Sequence, residues 1–436
     1  MNRLKFRLAL GAGLGRCLLQ LRAHRATPSQ RRSVLLACVR NVAYDPQCEG
    51  SRHQYLLDLA SATHSYEAIE ATVLARFRQS VGTWDFDTMS IWIEEFAAHG
   101  NQRARDQVYD LVERVDTFPD GFRDQAFVRL LRMLVRLDAK DGFVRGARRL
   151  QRIADAVDPW VVTAFLETSR EFFGAANESE LVAKLPLEVR AFLDRRSEEL
   201  KAARAAPAPR PTLADGWEGF VEQWRAMQTT RSRWGHAWAR GWAKEASRAE
   251  LQRAAEDLRD DGDEDLVLLA LNALQRMPWP GSARDLMRLT ASDHPRTSRL
   301  SISALAKLPA DPEIRGLAWM RLTTGGTPDF ARLLANNLVA GDGARLAAVL
   351  PTLMSGNADD RHVAAVASLD GFAECKMPDE SFPIWAWIYE QSPCSQCRLH
   401  AVEHLVSDAT MPSGWVDECR WDSSAEIRAC VARGQP

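Results

Sequence analysis

A chain of 436 residues, 46% hydrophobic and 26% charged, has the composition of an ordinary globular protein and is long enough for two or three domains. That composition excludes extensive disorder, and the net charge of -2 says little as a total. Eight scattered cysteines do not form the framework of a secreted disulfide-rich protein, so they favour a reducing compartment. Arginine greatly outnumbers lysine, which is typical of a bacterial gene of high GC content.

Positive charge is concentrated at the N-terminus, where no acidic residue precedes Asp45. Since leucines interleave with the basic residues, we expect an amphipathic cap helix whose charged face is solvated. Phosphate groups, an acidic lipid surface and the acidic remainder of the chain are alternative partners for this segment. Its basic residues are Arg3, Lys5, Arg7, Arg16, Arg22, Arg25, Arg31, Arg32 and Arg40.

The apolar stretch at residues 8–14 is short, is followed by Arg16, and lacks a small-residue cleavage site. We therefore expect neither a signal peptide nor a membrane anchor. No uninterrupted apolar run reaches the roughly 18 residues that a membrane-spanning helix needs. The sequence predicts a soluble cytoplasmic protein without membrane insertion.

Apolar residues recur at helical spacing along the chain, whereas alternating strand patterns of useful length are absent. In the segment 125–138 they lie three and four residues apart, which gives one apolar helix face. Short connectors rich in Gly, Pro and Asn separate such segments, as expected for antiparallel helical hairpins. The pattern predicts an all-α fold with helices near 54–62, 65–79, 87–97, 106–114, 125–138, 159–172 and 250–258.

A segment rich in alanine and proline, AARAAPAPRPTLADG, occupies residues 202–216. Proline lacks the amide donor of a helix and disfavours helical backbone in the residue before it. We therefore predict an extended or flexible linker at 202–216 between two helical domains. The domains comprise residues 1–201, with the basic N-terminal segment, and residues 217–436.

A pattern that ends in arginine repeats within the second domain. It reads DPEIR at 311–315, CSQCR at 394–398 and SAEIR at 424–428, with weaker copies PRTSR at 295–299 and ADDR at 358–361. Each copy is followed by a helical segment rich in Ala and Leu. The copies indicate a repeated helix that opens with a capping residue and carries a core residue directly before the arginine.

This pattern resembles the second helix of a HEAT or armadillo-type repeat, over roughly residues 248–434. Residues 51–200 share the hairpin pattern but lack a clear arginine register, so the resemblance is weaker there. It implies an α-solenoid of stacked antiparallel helical hairpins, in which each repeat buries its apolar face against its neighbours. The curved surface of such a solenoid implies a scaffold or adaptor function.

The stretch PCSQCRLHAVEH, residues 393–404, contains two thiols and two imidazoles within about three helical turns. In the repeat register, Cys397 takes the core position and Cys394 the position that opens the helix. Free cysteine commonly packs as a small buried hydrophobe, and the register favours that interpretation. Redox chemistry is an alternative, since a helix N-terminus lowers a thiol pKa, but no thioredoxin-like strand–helix–strand context surrounds this CxxC.

A structural zinc ion is the other alternative for this stretch, and it is the one cofactor that the sequence suggests. Zinc takes thiolate and imidazole ligands, usually four of them in two paired clusters. Here the second cluster would have only single cysteines, which weakens the hypothesis. The candidate ligands are Cys394, Cys397, Cys419 and His400, and His404 and Cys430 are also near in the sequence.

Trp234, Trp238 and Trp242 follow at intervals of four residues and form one helical stripe. The simplest interpretation is that they pack the first helices of the second domain together. With Arg231 and Arg233 nearby, the stripe could alternatively bind a nucleic acid by stacking on its bases. Helical-repeat DNA glycosylases that act on alkylated bases use aromatic residues in this manner, but no residue of this chain matches theirs individually.

Signatures of common enzymes are absent from the sequence. It has no GxxxxGK[ST] phosphate loop, no HExxH and no GxSxG, so we identify no catalytic residue. We predict a non-catalytic helical-repeat scaffold or adaptor that binds a macromolecular partner, most simply a protein. The alternative is a nucleic-acid-binding protein or an alkylated-base repair enzyme, and the sequence determines no oligomeric state.

Overall fold

The structure is a computed structural model that describes residues 1–46, 49, 51–153, 156–205, 216–228, 235–259, 263–275, 277–354, 356–373, 375 and 377–434. Side chains at 203–205, 227–228, 235–237 and 259 fall outside this description. Within these ranges the chain is helical and contains no strand, which confirms the all-α prediction. None of the described helices combines the length and apolar character needed to cross a bilayer.

Two compact units divide the chain. Unit 1 comprises Met1–Pro207 together with Gly414–Arg428, and unit 2 comprises Ala208–Ser413 together with Ala429–Pro436. The division falls within the predicted linker 202–216, of which residues 206–215 lie outside the described residues. The last helix before it continues to Ala205, because the alanine-rich part of the segment precedes its first proline.

Unit 1 is built mainly from consecutive helices that contact their neighbours in the sequence and often the next helix but one. The seven predicted helices agree closely with observed ones, six of them in this unit. The helices are α1 (Arg3–Ala12), α2 (Arg16–Ala23), α3 (Pro28–Val39), α4 (His53–Thr63), α5 (Tyr66–Arg76), α6 (Asp85–Ala98), α7 (Gln102–Glu113), α8 (Asp120–Arg152), α9 (Pro159–Phe173), α10 (Ala175–Ala183) and α11 (Leu187–Ala205).

Helix α8 is broken at Ala139, whose backbone is left-handed with φ 48°. The second half of the helix turns back along the first: a Cβ at Gly142 would lie 2.0 Å from the carbonyl oxygen of Leu134. Only a glycine allows this close approach of two backbones. The break explains why the apolar stripe predicted at 125–138 ends where it does.

The segment Gly414–Arg428 packs within unit 1 although it lies near the end of the sequence. Nε of Arg16 lies 2.7 Å from the Glu418 carboxylate, and the amide of Ser423 donates a 2.8 Å hydrogen bond to the carbonyl of Gly13. The guanidinium of Arg22 stacks 3.7 Å above a ring centroid of Trp421. The predicted domain 217–436 assigned this segment to the C-terminal half, whereas these contacts place it with α1 and α2.

Unit 2 also consists of helices packed against sequence neighbours, with short 3-10 helices between some of them. Its helices are α12 (Gly216–Gln228), α13 (Gly235–Glu245), α14 (Arg248–Glu256), α15 (Glu264–Leu274), α16 (Ala283–Leu289), α17 (Pro295–Leu305), α18 (Pro312–Thr323), α19 (Asp342–Val349), α20 (Ala358–Phe372), α21 (Pro378–Gln391) and α22 (Ser395–Ser407). Helix α23 (Ser413–Cys419) and helix α24 (Ala425–Arg433) follow and end the helical part of the chain.

Polar side chains bind backbone carbonyls of the preceding helical pair at nearly regular sequence intervals. In unit 1 the intervals are 33 residues for Gln107 with Leu74 and 37 for Arg149 with Val112. In unit 2 they are 30 for Arg288 with Leu258, 32 for Lys307 with Gln275 and 30 for Asn336 with Ala306. In both units these bonds therefore join residues 30 to 37 positions apart in the sequence.

Arg299 is the fifth residue of α17, whereas the arginine of the other four copies is the fourth residue of its helix. Its guanidinium reaches back to the carbonyl two residues before the helix begins, over 3.3 Å from Arg398 to Pro393 and 2.6 Å from Arg361 to Gly356. Arg428 makes the same bond to Ser423, and Arg123 makes it in unit 1 to Phe118. Arg315 and Arg299 differ, since Arg315 bonds the buried carboxylate of Asp342 and Nε of Arg299 lies 3.7 Å from the carboxylate of Asp329.

Candidate metal centre

Three side chains of unit 2 form a compact group that we call the metal centre: His362, Cys394 and Cys397. One ligand atom from each, the sulfurs and an imidazole nitrogen, lies within 4.8 Å of the other two. Cys394 is the residue immediately before α22, Cys397 is the third residue of that helix, and His362 lies in the second turn of α20. Helices α20 and α22 pack directly against each other, which brings the three side chains together.

The repeat register places Cys397 in this group. Cys397, Ile314 and Ile427 hold equivalent positions in their helices, and all three are buried, at 4%, 0% and 0% exposure. Their common core position, predicted from the sequence, is therefore confirmed. Burial alone does not separate a packed thiol from a ligand, because a ligand in a helical core occupies the same kind of position.

The pKa values of the two thiols are shifted in opposite directions. A hydrogen bond from the Cys397 side chain lowers the pKa of Cys394 to about 6, and backbone amides of Cys397 and Gln396 act in the same direction. The charge of His362 lowers it further, while burial opposes the shift. The same thiol–thiolate hydrogen bond and burial raise the pKa of Cys397. These interactions favour the thiolate form of Cys394, and a thiolate is the form that binds metals.

The loop before α22 fixes the geometry of Cys394. Its amide donates a 3.3 Å hydrogen bond to the hydroxyl of Ser392, and that hydroxyl donates to the Cys394 carbonyl over 3.4 Å. Arg398, which is fully buried, holds the carbonyl of Pro393 at 3.3 Å. Together these bonds preorganise the first thiol at the start of the helix.

The separation of the Cys397 and His362 ligand atoms fits a tetrahedral zinc site. Sγ of Cys397 and Nδ1 of His362 are 3.6 Å apart. Zinc bonds of about 2.3 Å to sulfur and about 2.0 Å to nitrogen, at tetrahedral angles, put two such ligands about 3.5 Å apart. Two thiolates with one imidazole are also a donor set that zinc prefers. The three described ligands leave a fourth position for another group or for water.

Two of the four ligands proposed from the sequence lie outside this group. His400 is exposed, and its Nδ1 lies 3.3 Å from the carboxylate of Glu403. Cys419 is buried in α23 and belongs to unit 1. The structure thus joins Cys394 and Cys397 with His362, a residue that the sequence did not single out.

The position of His362 in the sequence could have identified it as a ligand. It follows the repeat arginine Arg361 directly, just as Cys397 precedes the repeat arginine Arg398. The two ligands are 35 residues apart, which matches the interval of the other bonds between helical pairs. Because stacked repeats place equivalent positions side by side, a histidine one interval before a CxxC was the feature to test.

The tryptophan stripe packs inward where it is described. Trp242 is 3% exposed and contacts the rings of Trp217 and Phe220 at centroid distances of 5.0 and 5.1 Å. Trp238 is half-buried, 4.4 Å from the ring of Phe220. The other residues of the suggested nucleic-acid surface, Trp234, Arg231 and Arg233, lie outside the described residues. A nucleic-acid surface here stays a prediction.

No known protein family, curated protein or solved structure matches the chain. The metal centre is the one group of three or more clustered His, Cys, Asp or Glu ligands within the described part of the chain. Its residues and their geometry therefore provide the basis for a functional proposal.

Proposed function

We propose that this protein is a cytoplasmic helical-repeat scaffold that binds a protein partner and whose second unit is stabilised by zinc. In this proposal the two units are two helical domains, each a solenoid of stacked antiparallel hairpins. The regular bonds from one helical pair to carbonyls of the preceding pair carry the proposal. A chain built this way buries its apolar faces between repeats and offers an extended outer surface for binding.

The exposed face of α1 is the partner surface that we propose in unit 1. Leu4 and Leu8 lie one helical turn apart and are 65% and 52% exposed, which is unusual for large apolar residues on an otherwise packed helix. Arg3, Lys5 and Arg7 are exposed around them. An apolar centre with a basic rim is complementary to an acidic protein surface that carries an apolar anchor.

A double substitution, Leu4→Asp with Leu8→Asp, tests this surface. Affinity capture from the native host identifies candidate partners, and each purified candidate is then titrated against the wild-type and variant proteins. We expect at least about tenfold weaker binding by the double variant, because two apolar anchors are lost and negative charge enters the basic rim.

Leu187→Asp is the matched control, since Leu187 is 70% exposed at the start of α11. It should leave binding unchanged. Equal affinity of wild type and double variant for every direct partner would overturn the proposed surface. Binding of an oligonucleotide with a steep salt dependence, in the absence of any direct protein partner, would instead support the nucleic-acid function.

We propose that zinc binds through Cys394, Cys397 and His362. Zinc would supply a structural crosslink there, joining the start of α22 to the second turn of α20. The lowered pKa of Cys394 favours binding, because metal then displaces fewer protons at neutral pH. The hydrogen bonds of Ser392 and Arg398 hold the first ligand in place whether or not metal is present.

Metal analysis of protein expressed with excess zinc tests this site. The experiment compares variants of two histidines, His362 and His400. We expect about one equivalent of zinc in the wild type and less than about a tenth in Cys394→Ser and His362→Ala. His400→Ala should keep its zinc, because His400 is exposed and lies outside the centre. Zinc lost from His400→Ala and kept in His362→Ala would disprove the assignment.

A further inference from the structure

Unit 1 contains a cavity of about 370 Å³, which we call the arginine cavity. It lies between the end of α3 and the loop that follows it, the first turns of α6 and the middle of α8. Four arginines contribute to its lining, against two carboxylates. These charged residues are Arg40, Arg52, Arg129, Arg132, Glu49 and Asp87.

Two of the charged residues that line the cavity are already paired with each other. Arg52 and Glu49 form a buried ion pair of 2.5 Å. Arg52 also donates to the carbonyl of Gly11, and Glu49 accepts the amides of Tyr44 and Asp45. This pair belongs to the wall, so Arg40, Arg129 and Arg132 supply the surplus positive charge.

Arg129 and Arg132 have hydrogen-bonding capacity left over. Nε of each is buried and has no hydrogen-bond partner among the described residues. Arg129 makes one long bond, 3.4 Å from its Nη2 to the carbonyl of Asp87, and Arg132 makes no hydrogen bond or ion pair in the described part of the chain. Buried guanidinium donors are normally satisfied, so the two side chains indicate a missing acceptor.

The charges around the two arginines favour a bound anion, because the nearby carboxylates of the protein do not neutralise them fully. Burial lowers the pKa of Arg129, and the carboxylates of Asp87 and Glu94 counteract this. Burial raises the pKa of Asp87, despite the nearby charge of Arg129. Glu94 is engaged outside the cavity, 2.6 Å from Nη1 of Arg136. Neither acid fully neutralises the two guanidinium groups that line the cavity.

We propose that the arginine cavity binds a small organic oxyanion, a phosphate monoester or a carboxylate, through Arg129 and Arg132. The planar guanidinium forms paired hydrogen bonds to both headgroups. Arg40, exposed at the end of α3, lies at the cavity and attracts the anion. Apolar side chains form the rest of the wall and would contact the body of the ligand: Ala37, Val42, Leu56 and Ile91.

Calorimetric titration of the full chain with phenyl phosphate, benzoate and inorganic phosphate tests the site. We expect at least one of the two aromatic anions to bind about tenfold more tightly than inorganic phosphate, because the apolar wall contacts the ring. The preference between phenyl phosphate and benzoate identifies the headgroup. Arg132→Gln should weaken binding of the preferred anion at least about tenfold, since it removes a charged fork of donors.

Arg136→Gln is the control, because Arg136 lies one turn further along α8 and pairs with Glu94. It should leave the affinity within about twofold of the wild type. Arg40→Gln removes an exposed cation at the cavity and should weaken binding without risk to the core. Failure of all three probes to bind, or equal binding by wild type, Arg132→Gln and Arg40→Gln, would overturn the proposal.

Discussion

The arginine cavity of unit 1 and the metal centre of unit 2 satisfy their polar side chains in different ways. In the metal centre, one thiol hydrogen-bonds the other and the thiolate receives backbone amides as well. In the arginine cavity, Arg132 has no partner in the described residues and Arg129 makes one long bond. The polar side chains of the centre thus bond mainly one another, whereas Arg129 and Arg132 keep donors that have no acceptor among the described residues.

This difference teaches how packed helices can accommodate polar groups. Both sites lie between neighbouring helical pairs, where side chains of one pair reach the next. Soft ligands can be buried there without a metal, because a neutral thiol is an acceptable core residue. A guanidinium cannot be neutralised in this way, so a partly buried arginine without an acceptor is the stronger sign of an external ligand.

Removal of zinc should give the largest effect on stability. With free zinc about a thousandfold above its dissociation constant, the wild type should gain about 4 kcal/mol of unfolding free energy relative to chelator-treated protein. Denaturant unfolding with and without zinc measures this difference. The Cys397→Ser variant should show almost no response to zinc, and a response equal to that of the wild type would argue against the centre.

Arg315→Ala should cost about 3 kcal/mol, because it leaves the buried Asp342 carboxylate without its guanidinium. Arg315 has an acceptor within the protein, so this substitution provides a comparison with the arginines of the cavity. Arg361→Ala is the comparison within unit 2, and it should cost only about 1 kcal/mol, since one hydrogen bond to the Gly356 carbonyl is lost. Chemical denaturation of both variants provides the measurement, and equal costs would contradict the distinction.

The pH dependence of stability should separate the metal centre from an ordinary pair of packed thiols. The pKa of Cys394 is about 6 in the folded protein, against 9.0 for a free thiol, so the unfolded chain binds more protons between these values. Stability of the metal-free protein should therefore rise with pH from about 6 towards 8, by about 2 kcal/mol. In Cys394→Ser this rise should be absent, and a wild-type profile that is flat across the window would be inconsistent with a thiolate at Cys394.

Arg132→Leu should have the smallest effect on the ligand-free protein, and its sign is informative. Removal of a half-buried guanidinium that has no acceptor should leave stability unchanged or raise it by about 1 kcal/mol. Thermal unfolding of wild type and variant without added anions measures this. A loss above about 2 kcal/mol would show that Arg132 already has a structural role, and the contrast between the two sites would disappear.

The sequence predicted local structure well because helical periodicity is a short-range signal. The stripe at 125–138 matches the first half of α8, and the repeat register placed Cys397, Ile314 and Ile427 in the core. The packing of Gly414–Arg428 in unit 1 was not predicted, because it depends on single contacts such as Arg16 with Glu418 across 402 residues. No periodicity in the chain indicates such a contact.

The sequence predicted two of the three residues of the metal centre. Cys394 and Cys397 are three residues apart and form a recognisable CxxC motif, whereas His362 joins them only through the packing of α20 on α22. His400 was proposed because it is near in sequence, but its place in the helix turns it to solvent and towards Glu403. The arginine cavity had no sequence motif at all, since its residues come from four separate helices and a loop.

The bond from the repeat arginine to the carbonyl before its helix affects which residues can precede the first turn. It holds the entrance of the helix irrespective of the residue that precedes the first turn, which is cysteine before α22, asparagine before α20 and proline before α8. Cys394 accordingly makes no side-chain cap hydrogen bond, whereas Asn357 accepts a hydrogen bond from the amide of Asp360 and caps α20 in addition to the arginine. A cysteine can therefore take the position before α22 while Arg398 still holds the carbonyl of Pro393 at the entrance of the helix.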